Sequence, residues 1–263
     1  MPEPLSAALA TLRARYGPQA LRRGHQQPVA ETWPTGTPVL DTVLLPGGLP
    51  CGRITALAAA SVRGPSGRLT LLQSLVATAS RHGETGYVDL TASLDPGFLA
   101  DLGADLDACL VVAPEAGRWG QGFAMARTLT RAGLPWLGIA LGAGRTPPST
   151  WEHALAALAE AVAKQGAICV VAAPAPLAAA LAHAASLTLT CAAAGWQRAH
   201  GDVLGLRVRA TVTKSKLGAA GAAATLLLRY PRPYAEAEIV GLPSVVTPAA
   251  LQAELAPAAA ASG

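Results

Sequence analysis

Between Gly52 and Thr70 the chain sets out the parts of a phosphate-binding loop and then puts unexpected residues where the chemistry would occur. Gly52-Arg53-Ile54-Thr55-Ala56-Leu57 reads as a buried strand and Leu69 to Ser80 as an amphipathic helix, joined through Ser61-Val62-Arg63-Gly64-Pro65-Ser66-Gly67-Arg68. A working loop of this kind follows G-x-x-x-x-G-K-[ST]: backbone N–H groups cradle phosphates, the Lys reaches the terminal phosphates and the hydroxyl binds Mg²⁺. Gly67 is in place, but Val62 stands at the first Gly, Arg68 at the Lys and Leu69 at the Ser/Thr. About three extra residues between Ile54 and Gly67 distort the cradle further. The expectation is a loop without its catalytic equipment, in which Gly64, Ser66, Gly67, Arg68, Leu69 and Thr70 could keep a weak hold on a nucleotide. Arg68 suits that role because guanidinium pairs well with phosphate oxygens. It reads equally well as a solvated residue at a helix start, and Thr70 as an ordinary helical one.

Other constellations are weak. Five histidines (His25, His82, His153, His183, His200) show neither H-x-x-x-H nor H-E-x-x-H spacing, so no metal site is expected. No G-x-S-x-G elbow surrounds Ser61, Ser66, Ser149 or Ser186. Cys51, Cys109, Cys169 and Cys191 are widely spaced, without a C-x-x-C pair, and read as small buried residues of a reduced, cytoplasmic protein. Trp119, Trp136, Trp151 and Trp196 are core residues or partner anchors, with core favoured.

A net charge of +4 with 20 Lys/Arg scattered along 263 residues announces no basic tail. Met1 to Arg15 lacks the apolar centre of a signal peptide. Gly166 to Trp196 carries no Asp, Glu, Lys or Arg, but Pro174, Pro176 and His183 interrupt it, so a strand, loop, helix and second strand are expected rather than a membrane span.

These segments must be positioned by alternating strands and helices. Leu5, Leu9, Leu12 and Tyr16 share one face of a helix over residues 4–16, too short to fold alone and expected to dock on the core or on a neighbouring subunit. Strands are predicted at Ile54–Ala58, Gly86–Leu90, Ala108–Val112, Trp136–Leu141, Ile168–Ala172, Leu187–Cys191, Leu206–Thr213 and Thr225–Tyr230. Helices are predicted at Leu69–Arg81, Pro96–Leu102, Gly122–Ala132, Thr150–Gln165 and Leu177–His183. This order predicts an α/β fold with a mostly parallel central sheet flanked by helices, antiparallel C-terminal strands and a short N-terminal helix. The expected division is residues 1–32 as helix and linker, 33–242 as core, and 243–263 as an Ala/Pro-rich tail.

Three segments then resemble the RecA recombinase family. Pro34 to Asp41 with Gly47 to Ile54 resembles its lead into the loop strand; Val88-Asp89-Leu90-Thr91-Ala92-Ser93-Leu94-Asp95-Pro96-Gly97-Phe98 resembles its second strand and adenine-side segment; Val208 to Leu217 resembles its late strand with a K-x-K turn. The resemblance implies a RecA-like core, and it also shows what is missing. The family's catalytic carboxylate falls on Thr91, which cannot act as a general base near neutral pH. The Walker B Asp falls on Ala140 and the phosphate-sensing Gln near Pro174. Phosphoryl transfer depends on a positioned nucleophile and metal-assisted charge stabilisation, so little or no turnover is expected. No cofactor is required by this reading, which leaves room only for weak ATP or ADP binding, with Asp95 and Phe98 at the adenine-side positions; Phe98 is otherwise a core residue.

The links matching the family's DNA loops are short: Gly142 to Ser149 has only Arg145, and Ala173 to Ala178 is uncharged. Strand exchange is not expected, and only weak DNA contact through Arg145, Arg198, Arg207 and Arg209 is left. Lys214 and Lys216 match the K-x-K turn that in the family reaches the neighbouring subunit's ATP, and Leu5, Leu9 and Leu12 match the helix that packs on that neighbour; two ordinary hairpin lysines are the alternative. Taken together, the degenerate loop and missing DNA links look most similar to the ImuA group, RecA-like accessories of the translesion mutasome. The resemblance implies a cytoplasmic, nucleoid-associated, non-catalytic or nearly non-catalytic SOS protein whose partners are RecA and ImuB, the latter working with the polymerase DnaE2. A cell-division inhibitor similar to SulA and an active DNA-dependent ATPase remain the alternatives.

Overall fold

The computed structural model describes residues 3–17, 31–115, 118–142 and 151–230. The linker after Gly17, Arg145 with its loop, and the tail from 231 onward lie outside the described residues, as does the side chain of Leu5. The chain divides into two units, Met1–Ala30 and Glu31–Gly263. The first contains α1 (Glu3–Tyr16), one residue longer at its start than the apolar spacing predicts. On α1, Leu12 and Tyr16 are exposed, at 40% and 62% of their full surface.

The second unit opens with a small clasp. β1 (Thr32–Trp33) pairs antiparallel with β2 (Leu49–Pro50), and a π-helical turn, Leu40–Leu44, lies between them. Asp41 stabilises this lead-in: one carboxylate oxygen accepts from the Thr35 amide and hydroxyl, the other from the Gly36 amide. Gly48 closes the turn with φ 111, and a Cβ there would lie 2.0 Å from the Trp33 carbonyl oxygen. None of these short elements has a periodic apolar run, and sequence periodicity missed them for that reason.

The main sheet has the order β10-β9-β8-β3-β7-β6-β4-β5, built from β3 (Arg53–Ala59), β4 (Thr85–Leu90), β5 (Cys109–Val112), β6 (Trp136–Leu141), β7 (Ile168–Ala173), β8 (Leu187–Ala199), β9 (Asp202–Ser215) and β10 (Ala223–Arg229). Strands β3 to β8 pair in parallel, whereas β8–β9 and β9–β10 are antiparallel, as the helix-free C-terminal strands predict. Helices α2 (Arg68–Ser80), α3 (Pro96–Asp101), α4 (Trp119–Arg131), α5 (Trp151–Gln165) and α6 (Ala175–Ala184) connect the parallel strands.

Every residue of β4, β6 and β7 is buried, the signature of parallel strands covered on both faces. Alternation then divides the side chains. Ile168, Val170 and Ala172 of β7 pack with Leu57, Tyr87 and Leu71, Leu72, Leu75 and Val76 of α2. Cys169, Val171 and Ala173 face the other way, with Ile139, Phe123, Leu155, Leu158 and Leu181. Each fully buried Leu or Val contributes about 1.5–3 kcal/mol of transfer free energy, so these two layers carry the fold. Trp119, Trp136 and Trp151 are buried in them; Trp196 is 42% exposed on β8.

The β8–β9 hairpin is much longer than the apolar runs predict. Polar residues Gln197, Arg198 and Asp202 masked its outer half, where β8 runs on past β3 and pairs with β9 as far as Ala199 and Asp202. A two-residue turn closes it, with His200 at φ 50 and Gly201 at φ 90, the paired positive dihedrals that match hairpin twist. Replacing Gly48 by Ala is expected to cost more than about 2 kcal/mol, because a backbone clash adds to left-handed strain. Gly64→Ala, with φ 84 but open space around its Cβ, should cost only about 1–2 kcal/mol. Thermal melts of the two variants check the order, Gly48→Ala falling by the larger interval.

Candidate nucleotide site

The candidate site lies at the carboxyl ends of β3, β4, β6 and β7. From β3 the chain runs through α2 to β4 on one side of the sheet, while the connection from β7 through α6 crosses β3 to reach β8. Such a reversal opens a crevice beyond the strand ends, the place where α/β sheets bind ligands. The cradle loop runs from Ala60 to Gly67, and α2 begins directly behind it.

Gly67 caps α2 at φ 70, with no side-chain cap. A Cβ at this position would lie 2.5 Å from Val208 Cγ2 and 2.8 Å from Leu228 Cδ1. The first turn of α2 therefore sits directly on the apolar face of β9 and β10, which only Gly permits. Gly64 lies in the open part of the loop.

Arg68, at the position of the P-loop Lys, turns inward. Its Nη1 donates to Ser66 Oγ at 3.0 Å, and Ser66 is itself buried. Its Nε is buried with no hydrogen-bond partner among the described residues. Desolvation lowers the guanidinium pKa, an effect opposed by the nearby Cys191 thiol. The same burial pushes Cys191 up to about 12, so the thiol stays neutral. Arg68 thus belongs to the loop's underside rather than to the solvated helix start anticipated as the alternative. Leu69 packs against the core.

The adenine-side residues are engaged within the chain. Asp95 is the N-cap of α3, accepting from the Gly97 amide at 2.8 Å. Phe98 packs against the core and against Tyr230, with ring centroids 6.5 Å apart and planes tilted by 54°. That distance is typical of a directly packed aromatic pair, about 4.5–7 Å, so these rings contact each other with no planar base between them. Burial raises the Tyr230 phenol pKa, and a hydrogen bond with the Thr70 side chain opposes the shift. Trp196 continues the row at 6.4 Å from Tyr230. Tyr230 and Trp196 were not anticipated here, because only tertiary packing brings the sheet's far strands beside α3.

At the catalytic positions no side chain can take the missing roles. Thr91 donates its amide and its hydroxyl to Asp89 Oδ1, and its hydroxyl also bonds Ser93. Asp89 Oδ2 accepts from the amides of Ser93 and Leu94 at 2.9 and 2.8 Å. Burial alone would raise the Asp89 pKa; the Thr91 hydroxyl and the amides of Leu94, Thr91 and Ser93 outweigh it and hold the carboxyl below its ordinary value. Asp89 is thus an ionised structural acceptor committed to its own turn. Ala140 is fully buried beside it, and Pro174 caps α6.

A triphosphate with its metal needs a mobile cation, a hydroxyl ligand and a carboxylate; here these positions hold Arg68 (half-buried and bonded to Ser66), Leu69 and Ala140. The residues present do not fit that group in its catalytic form. The described residues also contain no cluster of His, Cys, Asp or Glu able to hold a metal ion. A surface cavity of about 360 Å³ lies elsewhere, between Arg131, Glu160 and Lys164.

Lys214 and Lys216 lie at the far end of β9. Lys214 Nζ donates to the carbonyls of Ala182 and Ala185, and Lys216 Nζ to that of His183 at 3.1 Å. Both ammonium groups are therefore on the carboxyl end of this chain's own α6.

Fold and sheet order define a RecA-type α/β core. Residues 3–139 match the RecA N-terminal domain, and the chain belongs to the RecA family. Among curated proteins, RecA of Salinispora tropica is 39% identical over 134 residues, covering 49% of this chain and 36% of that protein; RecA of Haemophilus ducreyi is 37% identical over the same length, covering 34% of its own. The chain thus matches about a third of the length of these relatives. A crystal structure of the RadB recombinase superposes with a TM-score of 0.57 at 15% identity, covering 74% of this chain and 94% of that one, and bears out the α/β architecture. No helix among the described residues is long and apolar enough to cross a membrane.

Asp89→Asn tests the structural assignment of the carboxylate. The amide would confront the Ser93 and Leu94 N–H groups, and a loss of roughly 1.5–3 kcal/mol is expected at pH 7. Because the folded pKa is lowered, the native contribution is complete above the unfolded value, about 3.9, and fades as pH falls through the folded value. Melting temperatures of the two proteins should therefore differ at pH 7 and converge as the pH falls below the lowered folded value.

Proposed function

We propose that this chain is a non-catalytic accessory member of the RecA family, acting in SOS-induced translesion synthesis as ImuA-type proteins do. It binds RecA and ImuB, recruits or regulates the ImuB/DnaE2 mutasome, and caps RecA filaments. The observation that carries this reading is the state of Arg68: its guanidinium is bonded to Ser66 beneath the loop, while Thr91 and Ala140 stand where a base and a metal ligand are needed.

A protomer that docks on a RecA filament without a working nucleotide centre gives the next protomer no ATP to close upon. Filament growth stops there. The exposed Leu12 and Tyr16 of α1 support a binding role, since an apolar row on a short helix gains stability when a partner covers it. The Lys214/Lys216 turn is the second element proposed for that contact. Phe98, Thr70, Asp95 and the Gly64–Arg68 loop retain at most a weak hold on ATP or ADP, and any DNA contact through Arg198, Arg207 and Arg209 is auxiliary. The protein acts in the cytoplasm, with the nucleoid.

Co-capture from purified components tests the proposal. The chain is expected to retain both RecA and ImuB, and Leu9→Asp/Leu12→Asp should weaken RecA capture at least tenfold while leaving the thermal melt of the core unchanged. Failure to retain either protein rejects the accessory role; retention unaffected by the α1 variant rejects that helix as the contact.

A further inference from the structure

Helix α6 ends in an unusual way for so short an element. The last carbonyls of a helix have no intrahelical donors, and a Gly in the left-handed conformation commonly turns the chain back to satisfy them. After Ala184 the chain offers Ala185 and Ser186, with Ala185 extended at φ -69, ψ 136, so no such turn forms. The Ala185 amide reaches Leu181 O, and the Ser186 amide leaves the helix for Ile54 O on β3. The carbonyls of Ala182, His183 and Ala185 are satisfied instead from more than 25 residues downstream, by Lys214 and Lys216.

We infer that Lys214 and Lys216 form a two-point clasp, closed on the carboxyl end of α6, that locks the antiparallel strands to the parallel core and must open before either ammonium group can serve another molecule.

Strand register makes the clasp possible. Lys214 pairs with Thr188 on β8, two residues beyond the segment that follows α6, and the Lys216 amide donates to Ser186 O at 2.8 Å. Backbone pairing thus brings both lysine stems beside the helix end, where the dipole favours cations. The two ammonium groups repel: after desolvation, the proximity of Lys216 is the second cause lowering the Lys214 pKa. The carbonyls hold two like charges together at one helix end, a closed state that an anionic group from outside could relieve. On the opposite face of the sheet Gly67 seats α2 on Val208 and Leu228, so β9 is fixed from both sides.

The clasp is independent of which partner the protein has. Hydrogen exchange of the full chain, read on peptides covering residues 177–187, tests it. In Lys214→Gln/Lys216→Gln exchange at the end of α6 should rise at least tenfold, while Arg209→Gln, which removes an exposed charge from the same strand, leaves it unchanged. Lys216→Gln alone decides the matter if the double variant does not fold, with at least a threefold rise expected. Exchange at residues 182–186 equal to that of the parent chain in the folded lysine variants overturns the inference, as does an equal rise in Arg209→Gln.

Discussion

The close approach of α2 to the antiparallel strands at Gly67 is the constraint on which the site depends. Because a Cβ at Gly67 would press on the methyls of Val208 and Leu228 and strain a backbone at φ 70, the first turn of α2 lies close on an apolar surface. The side chain that follows has one polar neighbour beneath the loop, Ser66 Oγ, and one buried thiol, Cys191. A Lys at this point would lose hydration for a single bond. Guanidinium tolerates the position better, being delocalised and weakly hydrated.

The same packing explains the aromatic row. With α2 seated on β9 and β10, the end of β10 brings Tyr230 against Phe98, and the hairpin adds Trp196. Thr70, next to the position of the Mg²⁺-binding hydroxyl, then lies beside Tyr230 and opposes the rise in its phenol pKa. Asp89 satisfies four donors of its own turn in place of an absent catalytic carboxylate. Asp89, Thr91 and Asp95 have thus acquired internal partners, which removes the cost of leaving them unpaired, while Arg68 Nε stays buried without one.

The parallel core was legible because each of its strands is a short apolar run and each helix has a regular apolar spacing; Trp136–Leu141 was placed to the residue. The antiparallel hairpin was only half legible, since Gln197, Arg198 and Asp202 pair without burying a continuous face. In the site, the identities at Arg68, Thr91 and Ala140 could be read directly, and the proposed absence of turnover rests on them. Side-chain direction could not. Whether Arg68 points to solvent or to Ser66, and whether Lys214 and Lys216 face outward or close on α6, depends on strands far away in sequence. Tyr230 escaped notice for the same reason: no spacing rule links residue 230 to residue 98.

The proposed function requires that the family's frame be kept without the groups that act on nucleotide. Phosphate release by the purified chain, measured with ATP and Mg²⁺ in the presence and absence of single-stranded DNA, tests this most directly. Release at the protein-free background, unchanged by DNA, is the predicted result. Magnesium-dependent release that DNA stimulates and Arg68→Ala abolishes would contradict it.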